Sequence, residues 1–201
     1  MSLTLPHVGA DAQITALMDM LLHGDVGAMQ FARKTLLGCG TSILPFVYAA
    51  LPHAHTQRDT WRLLHLVTEF RDVTAVPVMI HALDSESRAV RVLAAEYLGD
   101  MRDPRAFAPL AARLNDAHSD ESKVWVINAL GQFGDRRAVP LLIAFLEQTE
   151  CAVDRYAAID ALERLGDPAA LPHICRYADD PDHHVRAHVR KAIDALERQR
   201  G

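Results

Sequence analysis

Three histidines lie close together near the C-terminus of the sequence: His183, His184 and His188, with Asp180 and Asp182 just before them. His184 and His188 are four residues apart, so on a helix both rings project from one face and can hold a metal ion between them. Aspartates are also common in the other turns of this chain, and an ordinary turn explains the same residues. The sequence leaves open whether these histidines bind metal, and we expect no cofactor.

Signatures of common enzymes are absent from the sequence. It contains no HExxH, no CxxC and no nucleophile elbow. The glycines Gly38 and Gly40 lack the lysine and the helix-capping pattern of a phosphate-binding loop. We therefore expect that the chain is not an enzyme.

Charge and composition narrow the function classes further. The formal net charge of −5 argues against a dedicated nucleic-acid binder, which usually carries a basic excess. Cys39, Cys151 and Cys175 are odd in number and far apart, which indicates small buried thiols in a reducing compartment rather than disulfides. The sequence has neither a basic, apolar leader nor an apolar run of membrane-spanning length. These features predict a cytoplasmic protein without a membrane partner.

The elements that position these residues follow from a period of about 32 residues. Prolines, aspartates, leucines with one isoleucine, and basic residues each recur at this spacing, in phase with one another. The four registers are Pro45, Pro77, Pro109, Pro140 and Pro172; Asp72, Asp103, Asp135 and Asp167; Leu66, Leu98, Leu130, Leu162 and Ile193; and Arg91, Lys123, Arg155 and Arg186.

Each period describes two helices joined by a turn. The aspartate has the chemistry of a helix N-cap, because its carboxylate accepts from free backbone N–H groups. The proline lies one turn deeper and should bend the first helix, since it removes one hydrogen bond. A polar turn such as residues 84–87 follows, and the second helix runs to a stop such as Leu165-Gly166-Asp167.

Such pairs must stack, because one pair cannot bury its own apolar face. The sequence predicts an all-α fold, a right-handed α-α superhelix of about six helical pairs. We expect one domain over residues 1–201. Within it, residues 1–40 form a divergent N-terminal capping pair, residues 41–167 the regular repeats, and residues 168–201 a C-terminal capping pair.

Two segments carry a family resemblance. Residues 88–100, RAVRVLAAEYLGD, and residues 129–142, ALGQFGDRRAVPLL, resemble the HEAT-like repeats of the phycobilisome-lyase type. The resemblance extends over roughly residues 41–200 and implies a solenoid whose second helices line its concave surface. It leaves function open, because that family includes bilin lyase subunits, adaptors and protein binders.

Enzymes of related architecture fit the residues poorly. HEAT-repeat hydroxylases bind di-iron with paired His-Glu dipeptides, and none occurs among the eleven histidines. HEAT-like DNA glycosylases use aromatic residues on a basic concave face. Trp61 and Trp125 are two repeats apart in one register, but they share that register with Leu93, which belongs to the predicted core. We therefore predict that both tryptophans pack in the core.

A helical projection of residues 88–101 separates a core face from an opposite face. The core face holds Val90, Leu93, Ala94, Tyr97, Leu98 and Met101, and the opposite face Arg88, Arg91, Val92, Ala95, Glu96 and Gly99. Transferring the opposite face to the later repeats gives a candidate partner-binding site of basic, apolar and polar rows. Its members are Arg91, Lys123, Val124, Ile127, Asn128, Arg155, Tyr156, Ile159 and Asp160.

Two interpretations of this face stay open from the sequence. The apolar row is either an exposed strip that binds a partner or is buried where neighbouring second helices pack tightly. The basic row either pairs with the aspartates, Glu96 and Asp160 as a structural ladder or binds a ligand. We expect a protein–protein interaction scaffold or adaptor whose partner is another protein of unknown identity. The alternative is a lyase-like or other enzyme-associated subunit holding a small molecule in the groove, and a nucleic-acid binder is disfavoured by charge.

Overall fold

In a computed structural model, residues 10–116 and 123–198 are described, and within them every regular element is helical. The all-α prediction is confirmed. The twelve α-helices of the described residues are α1 (Ala10–His23), α2 (Val26–Gly38), α3 (Leu44–Ala50), α4 (Gln57–Thr68), α5 (Val76–Ala82), α6 (Arg88–Met101), α7 (Phe107–Leu114), α8 (Val124–Phe133), α9 (Ala138–Gln148), α10 (Ala152–Leu165), α11 (Leu171–Cys175) and α12 (His183–Arg198).

The helices form six consecutive pairs, α1–α2 through α11–α12. From the second pair on, the second helices α4, α6, α8, α10 and α12 contact one another in chain order. No single helix in the described ranges has the length and apolar run that a bilayer crossing requires. One pair of consecutive helical segments in those ranges has that length and composition when the two are taken together, and the chain bends by 117° between them. The segments are Val26–Gly38 and Gly40–His53.

The register aspartates cap the first helices, as predicted. Oδ1 of Asp72 accepts from the Thr74 N–H at 2.8 Å, and Oδ1 of Asp167 accepts from the Ala169 N–H at 2.9 Å. Asp103 and Asp135 make the same bond to the backbone two residues on, at 2.9 Å in each case. Each carboxylate thus satisfies a donor that the helix start leaves without a partner.

The register prolines shape how these helices begin. Short 3₁₀ turns precede four of the first helices, at Gly40–Ile43, Val73–Ala75, Pro104–Ala106 and Pro168–Ala170. The α-helix starts one or two residues before the register proline, so the proline occupies its first turn, where no N–H is needed. At four of these helix starts the structure therefore contains a change from 3₁₀ to α geometry, and the bend expected from a lost hydrogen bond stays a prediction.

Second helices begin and end at residues of known capping chemistry. α4 starts with a capping box, in which Thr56 and Asp59 exchange backbone-to-side-chain hydrogen bonds. α8 and α10 end at Gly134 and Gly166, whose φ values of 77° and 65° favour glycine. These ends fix the helix lengths and hence which residues face the neighbouring pair.

The core is continuous from α1 to α12 and contains the predicted leucine register. Trp125 is buried in it, as predicted, whereas Trp61 is half-buried and stacks on His65 with ring centroids 4.7 Å apart. The prediction of buried thiols is wrong, because Cys39, Cys151 and Cys175 are all free and exposed. Each lies at a helix end or in a turn, where little packs over it.

Candidate partner-binding face

The second helices approach each other closely through small residues. A Cβ added at Gly99 would lie 3.0 Å from the Cα of Ala129, and one added at Gly131 would lie 2.8 Å from the Cβ of Ala161. Both glycines are one repeat apart, so the same close approach recurs between α6 and α8 and between α8 and α10. Only glycine fits at these positions without moving a helix.

This close approach buries the apolar row. Ile127 and Ile159 are 0% exposed, as is Ala95 in the same register on α6. The exposed-strip interpretation is therefore wrong at Ile127 and Ile159, and tight packing between neighbouring helices is what the structure contains. Ala95 and Gly99, assigned to the open side of α6 by helical projection, are buried for the same reason.

The basic row is also engaged within the fold. One Nη of Arg91 donates to the carbonyl oxygens of Ser85 and Glu86 at 2.7 and 2.9 Å. Arg186 donates in the same way to Asp180 and Pro181 at 2.6 and 3.0 Å. These carbonyls belong to the turn between the two helices of the pair, where the end of the first helix leaves acceptors unsatisfied.

Lys123 and Arg155 repeat the arrangement in their own pairs. Nζ of Lys123 donates to the Asp116 carbonyl at 2.8 Å, and an Nη of Arg155 donates to the Glu150 carbonyl at 2.9 Å. The basic row is thus structural, as one of the two interpretations predicted, but the predicted partners were wrong. Backbone carbonyls accept hydrogen bonds from the row, in place of the cap aspartates, Glu96 or Asp160. Arg91, Lys123 and Arg155 therefore stabilise turns.

Buried acids add to the stabilisation of these turns. The Nε atom of Arg155 lies 3.0 Å from Oδ2 of Asp180 in the next pair and forms an ion pair with it. The Nε–H bond of the arginine does not point at the carboxylate, so the contact is not a hydrogen bond. Asp154, also buried, accepts from the backbone N–H of Lys123 at 3.1 Å. Each contact links one pair to its neighbour at the turn end of the second helices.

The open surface of the second helices, which we call the second-helix face, carries polar contacts across every junction between pairs. We call this series the polar ladder. In chain order it consists of Arg33 with Glu69, Arg71 with Asp100 (N–O distance 3.3 Å), Gln132 with Asp100, Arg164 with Asn128 (3.3 Å), His188 with Asp160 (2.6 Å), and Lys191 with Glu163 (3.1 Å). Both charge signs alternate along it, so the face is neither uniformly basic nor uniformly acidic.

One aromatic side chain lies within the polar ladder at its C-terminal end. Tyr156 is half-buried, and its ring stacks on His188 with centroids 5.0 Å apart and an interplanar angle of 16°. His184 lies against the same ring at 6.4 Å. Asp160 holds His188 from the other side through Nδ1. The tyrosine ring is thus fixed in place while part of it faces solvent.

A polar depression marks the N-terminal half of the same face. It has a volume of about 400 Å³ and lies between α4 and α6. Its walls include Glu69, Arg71, Glu96 and Asp100, of which Arg71 and Asp100 pair with each other. A depression of this composition suits a polar side chain rather than an apolar ligand.

The candidate site predicted from the sequence therefore separates into three groups. Val124, Asn128, Tyr156 and Asp160 lie on the second-helix face and are partly exposed. Arg91, Lys123 and Arg155 stabilise turns, while Ile127 and Ile159 are buried. Sequence reasoning missed Arg164 and Lys191 and gave His188 a different role, and all three belong to the polar ladder.

The C-terminal histidines contact one another and side chains of α10. His188 bonds to Asp160 and stacks on Tyr156, whereas His183 and His184 contact each other at 3.9 Å between ring centroids. Within the described ranges, no three His, Cys, Asp or Glu side chains come together in a group that could hold a metal ion.

Comparison with known sequences decides the family. The profile of the HEAT repeats matches residues 45–123 and 117–194, three quarters of the chain and all of its regular helix pairs. The chain belongs to the HEAT-repeat family. No protein of curated function matches the sequence.

Solved structures with a similar fold include subunits of a lyase and an engineered protein. The complex of CpcE and CpcF of phycocyanin lyase from a Nostoc species aligns with a TM-score of 0.62 at 22% identity, over 76% of this chain and 64% of that one. This chain thus spans less than two thirds of the lyase chain. An engineered protein aligns with a TM-score of 0.57 at 14% identity, over 93% of this chain and 97% of that one. Human deoxyhypusine hydroxylase aligns with a TM-score of 0.44 at 19% identity, over 94% of this chain and 97% of that one. The first likeness confirms the predicted phycobilisome-lyase type of fold.

Proposed function

We propose that this HEAT-repeat chain is an adaptor that binds another protein on its second-helix face, with Tyr156 as the anchor. The observation that carries the proposal is the tyrosine ring stacked on His188 and surrounded by paired charges. An aromatic residue inside a polar rim is the usual composition of a protein-binding hot spot.

The stacking contributes to affinity because it removes motion before binding. A ring already fixed by His188 and Asp160 loses little conformational freedom when a partner covers it. The polar ladder supplies both donors and acceptors at fixed positions, so it favours a partner of complementary, mixed charge. A nucleic acid would require a run of cations instead, and the net charge of −5 opposes it.

The alternative predicted from the sequence is a lyase-like or other enzyme-associated subunit that holds a small molecule in the groove. If the partner is an enzyme subunit, the chain acts as its scaffold, as a two-chain arrangement such as that of CpcE with CpcF illustrates for another protein. A cytoplasmic location stays a prediction from the sequence. The identity of the captured protein distinguishes a general adaptor from a subunit of an enzyme.

The test is affinity capture from the source cells with purified tagged chain, followed by quantitative mass spectrometry. The site variant is Tyr156→Ala, and the matched control is Val73→Ala, which truncates a side chain that is 53% exposed next to the first helix α5. We expect one protein to be retained by the wild type and the control and depleted about tenfold or more by Tyr156→Ala. Retention by Tyr156→Ala at the wild-type level would reject this face, provided the melting temperatures agree.

A further inference from the structure

A cavity of about 610 Å³ lies between the second and third helix pairs, among α3, α4, α5 and the start of α6. Its floor is formed by Leu64 and Val90, both essentially buried. Its volume is within the range of small-molecule sites, roughly 300–1,000 Å³. None of its residues belongs to the polar ladder, so it is separate from the second-helix face.

The repeat register explains why space is left at this junction. Elsewhere, an acid seven residues after the register proline pairs with an arginine four residues after the next register proline. Asp84 pairs with Arg113 in this way, and Glu147 pairs with Arg176 at 2.7 Å. These ion pairs bridge consecutive first helices at their outer edge.

At the cavity, both members of the bridge are replaced. Pro52 stands where the acid would be, and His81 stands where the arginine would be. Within the described residues His81 makes no ion pair, and both side chains are exposed at the mouth. At the junction of α7 and α9, where Ala144 replaces the arginine, Asp116 pairs with Arg113 of its own repeat instead. The junction at His81 thus lacks both members of the bridge.

The lining determines which chemistry fits. Apolar groups of Leu51, Pro77, Val78 and Ala82 form the walls together with the floor leucine and valine. The charged group at the rim, Asp84, pairs with Arg113, which it shares with Asp116. Ser85 is likewise occupied, because its hydroxyl donates to the side chain of Gln57 at 3.4 Å.

Tyr48 is a half-buried residue of the cavity lining. Burial raises the pKa of its phenol, which means that the neutral form is favoured there. Its hydroxyl lies 3.5 Å from that of Thr74, outside the cavity. The imidazole of His81 is thus the group at the mouth with free hydrogen-bonding capacity within the described contacts.

We infer that this cavity binds an uncharged, largely hydrocarbon small molecule that presents one hydrogen-bonding group to His81. A charged ligand would have to leave water for apolar walls without a counter-ion, which is costly. A neutral ligand gains from burying its apolar surface against Leu51, Pro77 and Val78. This inference does not depend on the protein partner proposed above.

The test uses the neutral fluorophore N-phenylnaphthylamine as the probe, with anilinonaphthalene sulfonate as its anionic counterpart. We expect saturable binding of the neutral probe at one site and weaker binding of the anionic one. Methyl NMR spectra should show the shifts concentrated on Val78, Val90 and Leu64. Absence of saturable binding, or equal or tighter binding of the anionic probe, would contradict the proposal.

Matched variants locate the site. Val78→Trp fills the cavity and should weaken binding of the neutral probe at least about tenfold. Ile80→Trp is the control, because Ile80 lies on the same helix, is also half-buried, and lines the adjoining groove instead. It should leave affinity within about twofold. Equal losses in both variants would overturn the assignment.

A second variant changes only exposed residues, so its folding does not depend on whether the core accommodates a larger side chain. Pro52→Asp combined with His81→Arg rebuilds, at exposed positions, the bridge seen between Asp84 and Arg113. It should close the mouth and lower the affinity for the neutral probe several-fold, with an unchanged helical circular dichroism spectrum. An affinity equal to that of the wild type in this variant and in Val78→Trp would place the probe elsewhere.

Discussion

Gly131 and Ala161 lie so close that a methyl group added to the glycine would come within 2.8 Å of the alanine Cβ. This contact sets the distance between α8 and α10, and with it the burial of everything between them. Gly131→Ala should therefore lower the free energy of unfolding by about 1–3 kcal/mol, the usual cost of overpacking. Urea denaturation with linear extrapolation measures it.

Gly38→Ala is the control for this effect. Gly38 is the last residue of α2, and a Cβ added there would meet nothing within 4 Å. Alanine should leave stability unchanged or raise it by up to about 1 kcal/mol, because it restricts the unfolded chain. A loss of equal size in both variants would show that close packing is not what excludes a side chain at Gly131.

Replacing Ile127 and Ile159 together by aspartate should prevent cooperative folding. Both side chains are 0% exposed between second helices, so each new carboxylate would be buried without a cation. The expected loss is more than about 4 kcal/mol. Thermal unfolding followed by circular dichroism should show a much lower melting temperature or no cooperative transition. A melting temperature near the wild-type value would mean that these residues are not buried.

The outcome at these isoleucines shows where sequence reasoning failed and why. A helical projection treats one helix alone and assigns a residue opposite the core to solvent. In this fold Gly99 and Gly131 allow the neighbouring helices to cover that side as well. The distance between helices is a property of two segments together, and a single helix pattern does not contain it.

Local chemistry, by contrast, was predictable. The caps made by Asp72, Asp103, Asp135 and Asp167 depend on residues only two positions apart, so the repeat register located them. The contacts of Arg91 and Arg186 were not predicted, because their acceptors are backbone carbonyls, which every residue has. Their regular spacing showed that they matter but could not show what they bind.

Arg155→Met should destabilise the fold by about 2–4 kcal/mol. The change removes the bonds to the turn carbonyls and leaves the Asp180 carboxylate, whose side chain is 5% exposed, without its cation. Arg164→Met is the matched control on the same helix. Arg164 is exposed and makes one hydrogen bond, to Asn128, so its loss should stay within about 0.5 kcal/mol. Chemical denaturation of the two variants measures the difference.

Asp167→Ala should cost about 1 kcal/mol, because it removes the cap on the Ala169 N–H. Arg155 pairs with Asp180 and turn carbonyls rather than with Asp167, so the two sites share no partner. The losses of Asp167→Ala and Arg155→Met should therefore add within about 0.5 kcal/mol in the double variant. A clear departure from additivity would reveal a contact between the two residues.

Acid should weaken the first-helix caps. The Arg105 side chain, and then its backbone N–H, lower the pKa of Asp103 from 3.8 to about 2. A folded pKa below the unfolded value means that this stabilisation is present above the unfolded pKa and is lost as pH falls through the folded one. Asp103→Asn should thus flatten the decline of melting temperature between these two pH values. An unchanged slope would mean that the carboxylate does not contribute.

The turn contacts of the basic row have a consequence for how such a chain changes length during evolution. Each basic residue of this row, such as Arg91 or Arg186, donates to carbonyls in the turn of its own repeat. An in-frame duplication of one period therefore copies a helix pair together with the side chain that stabilises its turn. The contacts between repeats then have to be re-formed, and the close approach at Gly99 and Gly131 already recurs at the same period. Gain or loss of whole repeats thus leaves each loop intact, and the reach of the molecule varies independently of its local geometry.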